Sequence, residues 1–115
     1  MLPELDVVRL RHMLEAASEA LEFARNRRRD DLDKDKMLGR AIVRDIEIVG
    51  EAASKVTTGT RISLDSIPWS SIVAMRNRLV HGYFDVDNDR VWDTITDDLP
   101  PLIAALEQAL KSAGA

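Results

Sequence analysis

One short stretch concentrates the side chains that could do chemistry: Met75-Arg76-Asn77-Arg78-Leu79-Val80-His81-Gly82-Tyr83. Histidine titrates near neutral pH without any perturbation, and the planar guanidinium of arginine matches the geometry of phosphate oxygens. Metal-free cleavage of RNA needs a group that handles the 2′-hydroxyl proton, a group that protonates the leaving 5′-oxygen, and positive charge on the phosphorane. Arg76 and His81, assisted by Asn77, could supply these and would be enough for a weak ribonuclease.

Each of these residues also has a purely structural interpretation, which composition alone favours. Arg76 and Arg78 could form a solvated basic face. His81 could cap a helix C-terminus, where the helix dipole favours its charged form. Tyr83 could be a core aromatic residue whose hydroxyl reaches water.

The spacing of Arg76 and His81 bears on how the site is completed. Five residues correspond to about 140° around a straight helix, so these side chains would not share a face if the helix continued to Gly82. Asn77 and His81, four residues apart, would share one. Either the helix ends near Val80 and His81 turns back, or Arg and His from two copies of the chain meet across a two-fold axis. The second arrangement predicts a homodimer.

The rest of the chain predicts the helices that position this stretch. The 115 residues are 45% hydrophobic and 31% charged, with few aromatic residues, which is typical of one helical domain. Apolar residues recur at steps of three and four in five segments, so we expect an all-α, up-down bundle of about five helices. The five stripes are Val7, Leu10, Leu14, Ala17, Leu21 and Ala24; Leu38, Ile42, Ile46, Val49, Ala53 and Val56; Trp69, Ile72, Val73, Met75, Leu79 and Val80; Val91, Trp92 and Ile95; and Leu102, Ile103, Leu106, Ala109 and Leu110.

Local signals predict where the first three helices begin and end. Pro3 is a good first residue for the first helix. The second helix is expected to end near residues 57–59 and to be followed by a loop up to Ser66. The third opens at Ile67-Pro68-Trp69 and continues to Gly82, a natural stop signal.

Further signals concern the later part of the chain and one glycine. Asp87 or Asn88 is expected to cap the short fourth helix. Pro100-Pro101 is expected to break the chain and start the last helix. Gly50, inside the second helix, predicts close packing against another helix.

Composition excludes several classes of protein. The absence of cysteine excludes disulfides, thiolate metal sites and a cysteine nucleophile, and His12 and His81 are too few for a histidine-rich metal site. No apolar run approaches the roughly 20 residues of a membrane span, and the charged start of the chain is unlike a signal peptide. We therefore expect a soluble cytoplasmic protein with no metal and no cofactor.

The net charge of −4 argues mildly against a nucleic-acid partner. However, residues 75–84 carry two arginines and no acid, whereas residues 85–98 carry six aspartates against a single arginine. Local potential, rather than total charge, steers a phosphate. Pairing two such basic segments in one cleft would make a site for RNA on an acidic protein.

These motifs resemble those of the HEPN superfamily, and in particular its HepT-like branch. The signature of an arginine, a polar residue, a short spacer and a histidine is filled by Arg76, Asn77 and His81, and the longer form, Arg-x4-His-x-Tyr, adds Tyr83. The resemblance spans nearly the whole chain in order. It includes residues 11–16, 44–47 with 50–52, 68–69, 85–87 with 91–92, and 99–102.

The resemblance implies a single HEPN-like domain over residues 1–115 that forms a homodimer with a shared cleft. It implies a metal-independent endoribonuclease, the toxin of a type VII-like toxin–antitoxin pair, with transfer RNA as a substrate class of relatives. Arg76 would stabilise the scissile phosphate, and His81 would act as general acid or base to give 2′,3′-cyclic phosphate products. Asn77 would assist by hydrogen bonding.

The resemblance also implies a protein partner, an antitoxin similar to a minimal nucleotidyltransferase. It would inactivate the toxin by adding AMP to Tyr83, which places a bulky anion two residues from His81. Arg78, Glu47 and Glu51 are candidate supporting residues. Glu47 and Glu51, four residues apart on the second helix, could orient an arginine or simply form structural ion pairs.

Two other functions stay open at this point. The first is a non-catalytic helical module that binds a nucleotidyltransferase or a nucleotide, with Arg76 and His81 as binding residues. The second is a structural oligomerisation domain, in which changes from Arg76 to Tyr83 would have no phenotype.

Overall fold

A computed structural model describes residues 2–79 and 85–114, and it confirms the predicted all-α class. The helices in this part of the chain are α1 (Glu4–Ala24), α2 (Asp31–Lys34), α3 (Lys36–Ser54), α4 (Thr58–Ser63), α5 (Trp69–Val73), α6 (Met75–Leu79), α7 (Asn88–Asp93) and α8 (Leu99–Ser112). A π-helical turn, Thr94–Asp98, joins α7 to α8.

The core lies where α1 and α3 pack side by side in opposite directions, with α8 against α1 and with α5 and α6 against α3. Leu10, Met13, Ile42, Ile46 and Leu106 are completely buried there. The whole apolar stripe predicted for the second helix is buried, and all of it except Val56 lies in α3. Burial of such stripes, rather than intrinsic helix propensity, supplies most of the stability of helices this long.

The predicted close approach at Gly50 is confirmed. A Cβ atom built on Gly50 would lie 3.3 Å from the carbonyl oxygen of Ile72 and 3.7 Å from that of Val73. Glycine therefore lets the backbone of α5 lie directly on α3. This contact brings α5, and with it the neighbouring α6, against the middle of α3.

Aspartate side chains cap two helices whose starts matter for the site. The Asp35 carboxylate accepts a hydrogen bond from the backbone N–H of Leu38 at the start of α3. The Asp87 carboxylate accepts one from the backbone N–H of Arg90 at 3.1 Å, which confirms Asp87 as the cap of the fourth predicted helix. Each cap satisfies a backbone donor that has no partner within its helix.

The expected loop over residues 57–66 is wrong in part, because it contains α4. The buried Asp6 carboxylate accepts hydrogen bonds from the backbone N–H and the hydroxyl of Thr57 and from the hydroxyl of Thr60. Burial alone would raise the pKa of Asp6, but these hydrogen bonds hold it below its usual value. A residue at the start of α1 thus organises α4, which the local sequence pattern does not show.

The third predicted helix is divided at Ala74 into α5 and α6. Next to the break, the Arg78 guanidinium donates a 2.7 Å hydrogen bond to the carbonyl oxygen of Ser71. This bond ties the two short helices together. The expected helix stop at Gly82 lies outside the described residues.

The prediction that Pro100-Pro101 starts the last helix is confirmed, but the prediction that it breaks the chain is wrong. Both prolines lie in the first turn of α8, and the helical path continues into it from α7 through the π-helical turn. Proline cannot donate to the carbonyl four residues earlier, and its ring crowds that carbonyl. The wider turn at Thr94–Asp98, which Leu99 closes by donating its N–H to the Thr94 carbonyl, relieves both effects without ending the helix.

Across residues 2–79 and 85–114, no helix is both long enough and apolar enough to cross a membrane.

Candidate functional site

Arg76 lies on α6 and faces α3. Its Nε donates a 2.9 Å hydrogen bond to Oε2 of Glu47, which makes an ion pair between the two helices. The Arg76 side chain is 54% exposed and that of Glu47 only 24%. The carboxylate therefore fixes one edge of the guanidinium, while the exposed remainder of the side chain is available to an anion. The fork of N–H donors on arginine suits a phosphate in this position.

The two other candidate residues of α6 have different surroundings. Arg78 does not share the setting of Arg76: its guanidinium bonds the Ser71 carbonyl and lines a cleft with Asp97 and Asp98. Asn77 is exposed, and its backbone N–H donates to the Ala74 carbonyl at 3.0 Å. Arg76 and Arg78, which the sequence places in one basic segment, therefore lie on different faces of α6. Arg78 stabilises the break between α5 and α6.

His81 and Tyr83 lie outside the described residues, so their predicted roles stay predictions. The residues on either side of this segment are described. The Asp87 N–H donates a 2.6 Å hydrogen bond to the Leu79 carbonyl, and Asp87 also caps α7. Leu79 and Asp87, both described, are therefore in direct contact next to the helix that carries Arg76.

The second candidate carboxylate of α3 does not reach Arg76. Glu51 pairs with Arg44 at 3.3 Å, and both side chains are largely exposed. An exposed pair of this kind contributes little to stability. Of the two glutamates that sequence spacing puts forward, only Glu47 contacts an arginine of the candidate site.

A groove extends from Glu47 along α3 toward the start of α7. It has a volume of ≈ 520 Å³ and is lined by Leu32, Lys36, Gly39, Arg40, Val43, Glu47, Val86 and Asn88. Sequence reasoning missed Lys36 and Arg40. Their spacing could have indicated them. Lys36 and Arg40 are four residues apart, which is about one helical turn, and they share a face of α3 with Glu47.

Asp45 is a buried acid on the opposite side of α3. It is only 4% exposed, and its Oδ2 has no hydrogen-bond partner among the described residues. Burial, together with the neighbouring Glu19 carboxyl, raises the pKa of Asp45 to about 7. Even so, no cluster of His, Asp and Glu residues in the described part of the chain is arranged to hold a metal ion.

The comparisons with known proteins agree on one family. The family model described as ribonuclease HepT-like matches residues 13–109. A protein of Caldanaerobacter subterraneus subsp. tengcongensis, provisionally named an RNase, is 33% identical over 102 residues, which cover 89% of this chain and 91% of that protein.

Two archaeal relatives show the same similarity. A Thermococcus cleftensis protein named "Probable ribonuclease HepT" is 34% identical over 102 residues, covering 85% of this chain and 93% of its own. A provisionally named RNase of Methanocaldococcus jannaschii is 31% identical over 95 residues, covering 83% and 87%. No solved structure matches the chain.

Proposed function

The chain belongs to the ribonuclease HepT-like family, and on that premise we propose that it is a metal-independent endoribonuclease whose site combines Arg76, Asn77 and His81. We further propose that it is the toxin of a type VII-like toxin–antitoxin pair, with transfer RNA as a candidate substrate. Its inactivation would be by AMP addition to Tyr83, carried out by a nucleotidyltransferase antitoxin.

The observation that carries the proposal is the setting of Arg76. Its guanidinium is held on one edge by Glu47 and half exposed on the rest, and Arg76 precedes His81 by five residues in the sequence. A guanidinium oriented before the substrate arrives can stabilise charge that develops on a phosphorane without reorganising during the reaction.

The remaining steps follow from the chemistry of the motif. In its neutral form His81 takes the 2′-hydroxyl proton, and the 2′-oxygen attacks the adjacent phosphorus. In its protonated form it gives a proton to the departing 5′-oxygen. Asn77 hydrogen-bonds the reacting groups. The products are a 2′,3′-cyclic phosphate and a 5′-hydroxyl.

Two histidine variants provide a matched test. Purified protein is incubated with RNA in the presence of EDTA, and the product ends are analysed. His81→Ala is expected to lower the cleavage rate by on the order of a hundredfold or more, whereas His12→Ala removes the exposed histidine of α1 and leaves the rate unchanged. Equal cleavage by His81→Ala and the wild type would refute the proposal, as would a requirement for metal ions.

The regulatory half of the proposal is tested separately. If a nucleotidyltransferase is encoded beside the gene, its co-expression should shift the mass of the peptide that contains Tyr83 by one or more AMP units and stop RNA cleavage. Tyr83→Phe should remain unmodified and active under the same conditions. Full silencing without any mass shift would instead mean that the antitoxin blocks the site sterically.

A further inference from the structure

The lining of the groove beside Glu47 carries two cations, Lys36 and Arg40, against one acid, although the chain as a whole is acidic. Lys36 and Arg40 are exposed, and neither has an acidic partner within 4.0 Å in residues 2–79 and 85–114. Unpaired cations keep their full attraction for an incoming phosphate. The surface around them therefore attracts anions locally.

Among the described residues that line the groove, Glu47 is the only acid. At the end next to α6, Glu47 is paired with Arg76. At the other end, Arg29 bonds both Asp33 and Asp89, at 3.0 and 2.6 Å, and the Asn88 amide also donates to Asp33. Arg29 offsets one of these two aspartates, so this end keeps a net negative charge, and the positive charge of the groove is on Lys36 and Arg40 of its lining.

The positions of the cations along α3 match a linear polyanion. With a rise of about 1.5 Å per residue, Arg40 lies about 10 Å along the helix axis from Glu47, and Lys36 lies about 16 Å from it. Arg76, bonded to Glu47, adds a further guanidinium at the end of this line, although the pair as a whole is neutral. At a stacked rise of ~3.4 Å per nucleotide, this length holds at most about five nucleotides.

The floor of the groove allows bases to approach. Gly39 has no side chain. A Cβ atom built on it would lie 3.8 Å from the carbonyl oxygen of Leu32, which is an ordinary contact distance. Val86, which is 36% exposed, adds apolar surface, whereas Val43 is only 9% exposed. Gly39 and Val86 leave room for the bases, while the cations bind the phosphates.

We infer that this groove is the track along which single-stranded RNA enters the site, with Arg40 and Lys36 binding the phosphates that flank the one held by Arg76. The inference rests on the proposed ribonuclease function and adds to it where the substrate lies. Binding here is predicted to be insensitive to sequence, because the contacts are to phosphates.

Binding to a non-cleavable RNA tests the groove independently of catalysis. Fluorescence anisotropy is measured with a 2′-O-methyl oligoribonucleotide at several salt concentrations. The double variant Lys36→Gln/Arg40→Gln should lower the log–log salt slope by roughly 1.4, about 0.7 for each phosphate contact. The affinity at 0.1 M salt should fall by on the order of tenfold. Binding equal to that of the wild type would refute the inference.

A control variant with the same change in charge excludes a general electrostatic effect. Arg11→Gln/Lys111→Gln removes one arginine and one lysine from exposed positions of α1 and α8, away from the groove. It should bind RNA as the wild type does. If the two double variants weaken binding equally, total charge rather than the groove determines the affinity and the inference is wrong.

A length series separates this inference from the proposed function. The affinity of the wild-type protein for RNA should rise with RNA length until about five nucleotides flank the reacting phosphate on one side. The affinity of Lys36→Gln/Arg40→Gln, the groove variant, should not rise in this way. RNA cleavage by a wild type with no such rise would refute the groove and leave the ribonuclease proposal standing. A length-dependent rise without any cleavage would support the groove and refute the ribonuclease proposal. If the groove variant loses binding of the nucleotidyltransferase but not of RNA, the surface serves that protein and the inference fails.

Discussion

Replacing Asp45 with asparagine should make the protein more stable at alkaline pH. The Asp45 side chain is almost fully buried between α1 and α3, one of its oxygens has no hydrogen-bond partner in the described part of the chain, and the Glu19 carboxyl lies beside it. Ionised, it would be a buried charge with a like charge as its neighbour. Asparagine has nearly the same shape, carries no charge, and can donate its amide to Glu19.

The size of the effect follows from the pKa. A rise in the pKa of Asp45 from 3.8 to about 7 on folding lowers the free energy of unfolding by roughly 4 kcal/mol at a pH where Asp45 is ionised in both the folded and the unfolded protein. The folded protein holds this proton to a higher pH than the unfolded chain does. The stability that the proton gives the folded state is therefore fully present below about pH 4 and is lost as the pH rises through 7. Glu19 is exposed and can rotate away, which makes the value an upper bound.

Urea denaturation followed by circular dichroism, repeated across this pH range, measures the difference. From about pH 5 to pH 8, the free energy of unfolding of Asp45→Asn should gain about 1–3 kcal/mol relative to that of the wild type. Asp65→Asn makes the same substitution at an exposed position of the chain and should show no such gain. A constant difference between Asp45→Asn and the wild type at all pH values would refute the reasoning.

Three further predictions concern contacts that hold the fold and the site together. Asp6→Ala should lower the free energy of unfolding by about 2–4 kcal/mol in urea titrations. Because hydrogen bonds lower the pKa of Asp6, this deficit should shrink as the pH falls through that pKa. Gly59→Ala, at an open position of α4, should stabilise by up to about 1 kcal/mol. Gly50→Ala should gain less in the same assay, because its Cβ meets a carbonyl at 3.3 Å. Glu47→Ala should change stability by less than about 1 kcal/mol, yet lower the cleavage rate by roughly tenfold because Arg76 loses its fixed orientation.

The features that sequence predicted correctly are those set by neighbouring residues. The spacing of apolar residues in α3 gives its buried face, an aspartate before a polar turn gives the α7 cap, and an interior glycine gives the approach of α5 at Gly50. Each depends on residues a few positions apart, where helix geometry determines which side chains share a face.

The features that sequence missed depend on contacts between distant parts of the chain. Asp6 organises α4 from 51 positions away at Thr57, and no local pattern contains that information. The bond from Arg78 to the Ser71 carbonyl at the α5–α6 break directs that arginine away from Arg76, although the sequence places both in one basic segment. For the same reason, sequence spacing made Glu47 and Glu51 equally good candidates to orient an arginine of the site. The packing of α6 on α3 distinguishes them, because it brings Arg76 to Glu47 and not to Glu51.

Whether Arg76 and His81 of one chain act together, or act across a two-fold axis, can be decided by mixing two inactive chains. If the site takes Arg76 from one chain and His81 from the other, a dimer of one Arg76→Ala chain and one His81→Ala chain keeps one intact site out of two. If both residues come from the same chain, that dimer has none. Random assembly makes about half of the dimers mixed, so co-expression should restore about a quarter of the wild-type cleavage activity. Isolating the mixed dimer through two different affinity tags should raise this to about half. A mixed dimer as inactive as each parent would refute the shared site, and a light-scattering mass near the 12.9 kDa of one chain would refute the dimer itself.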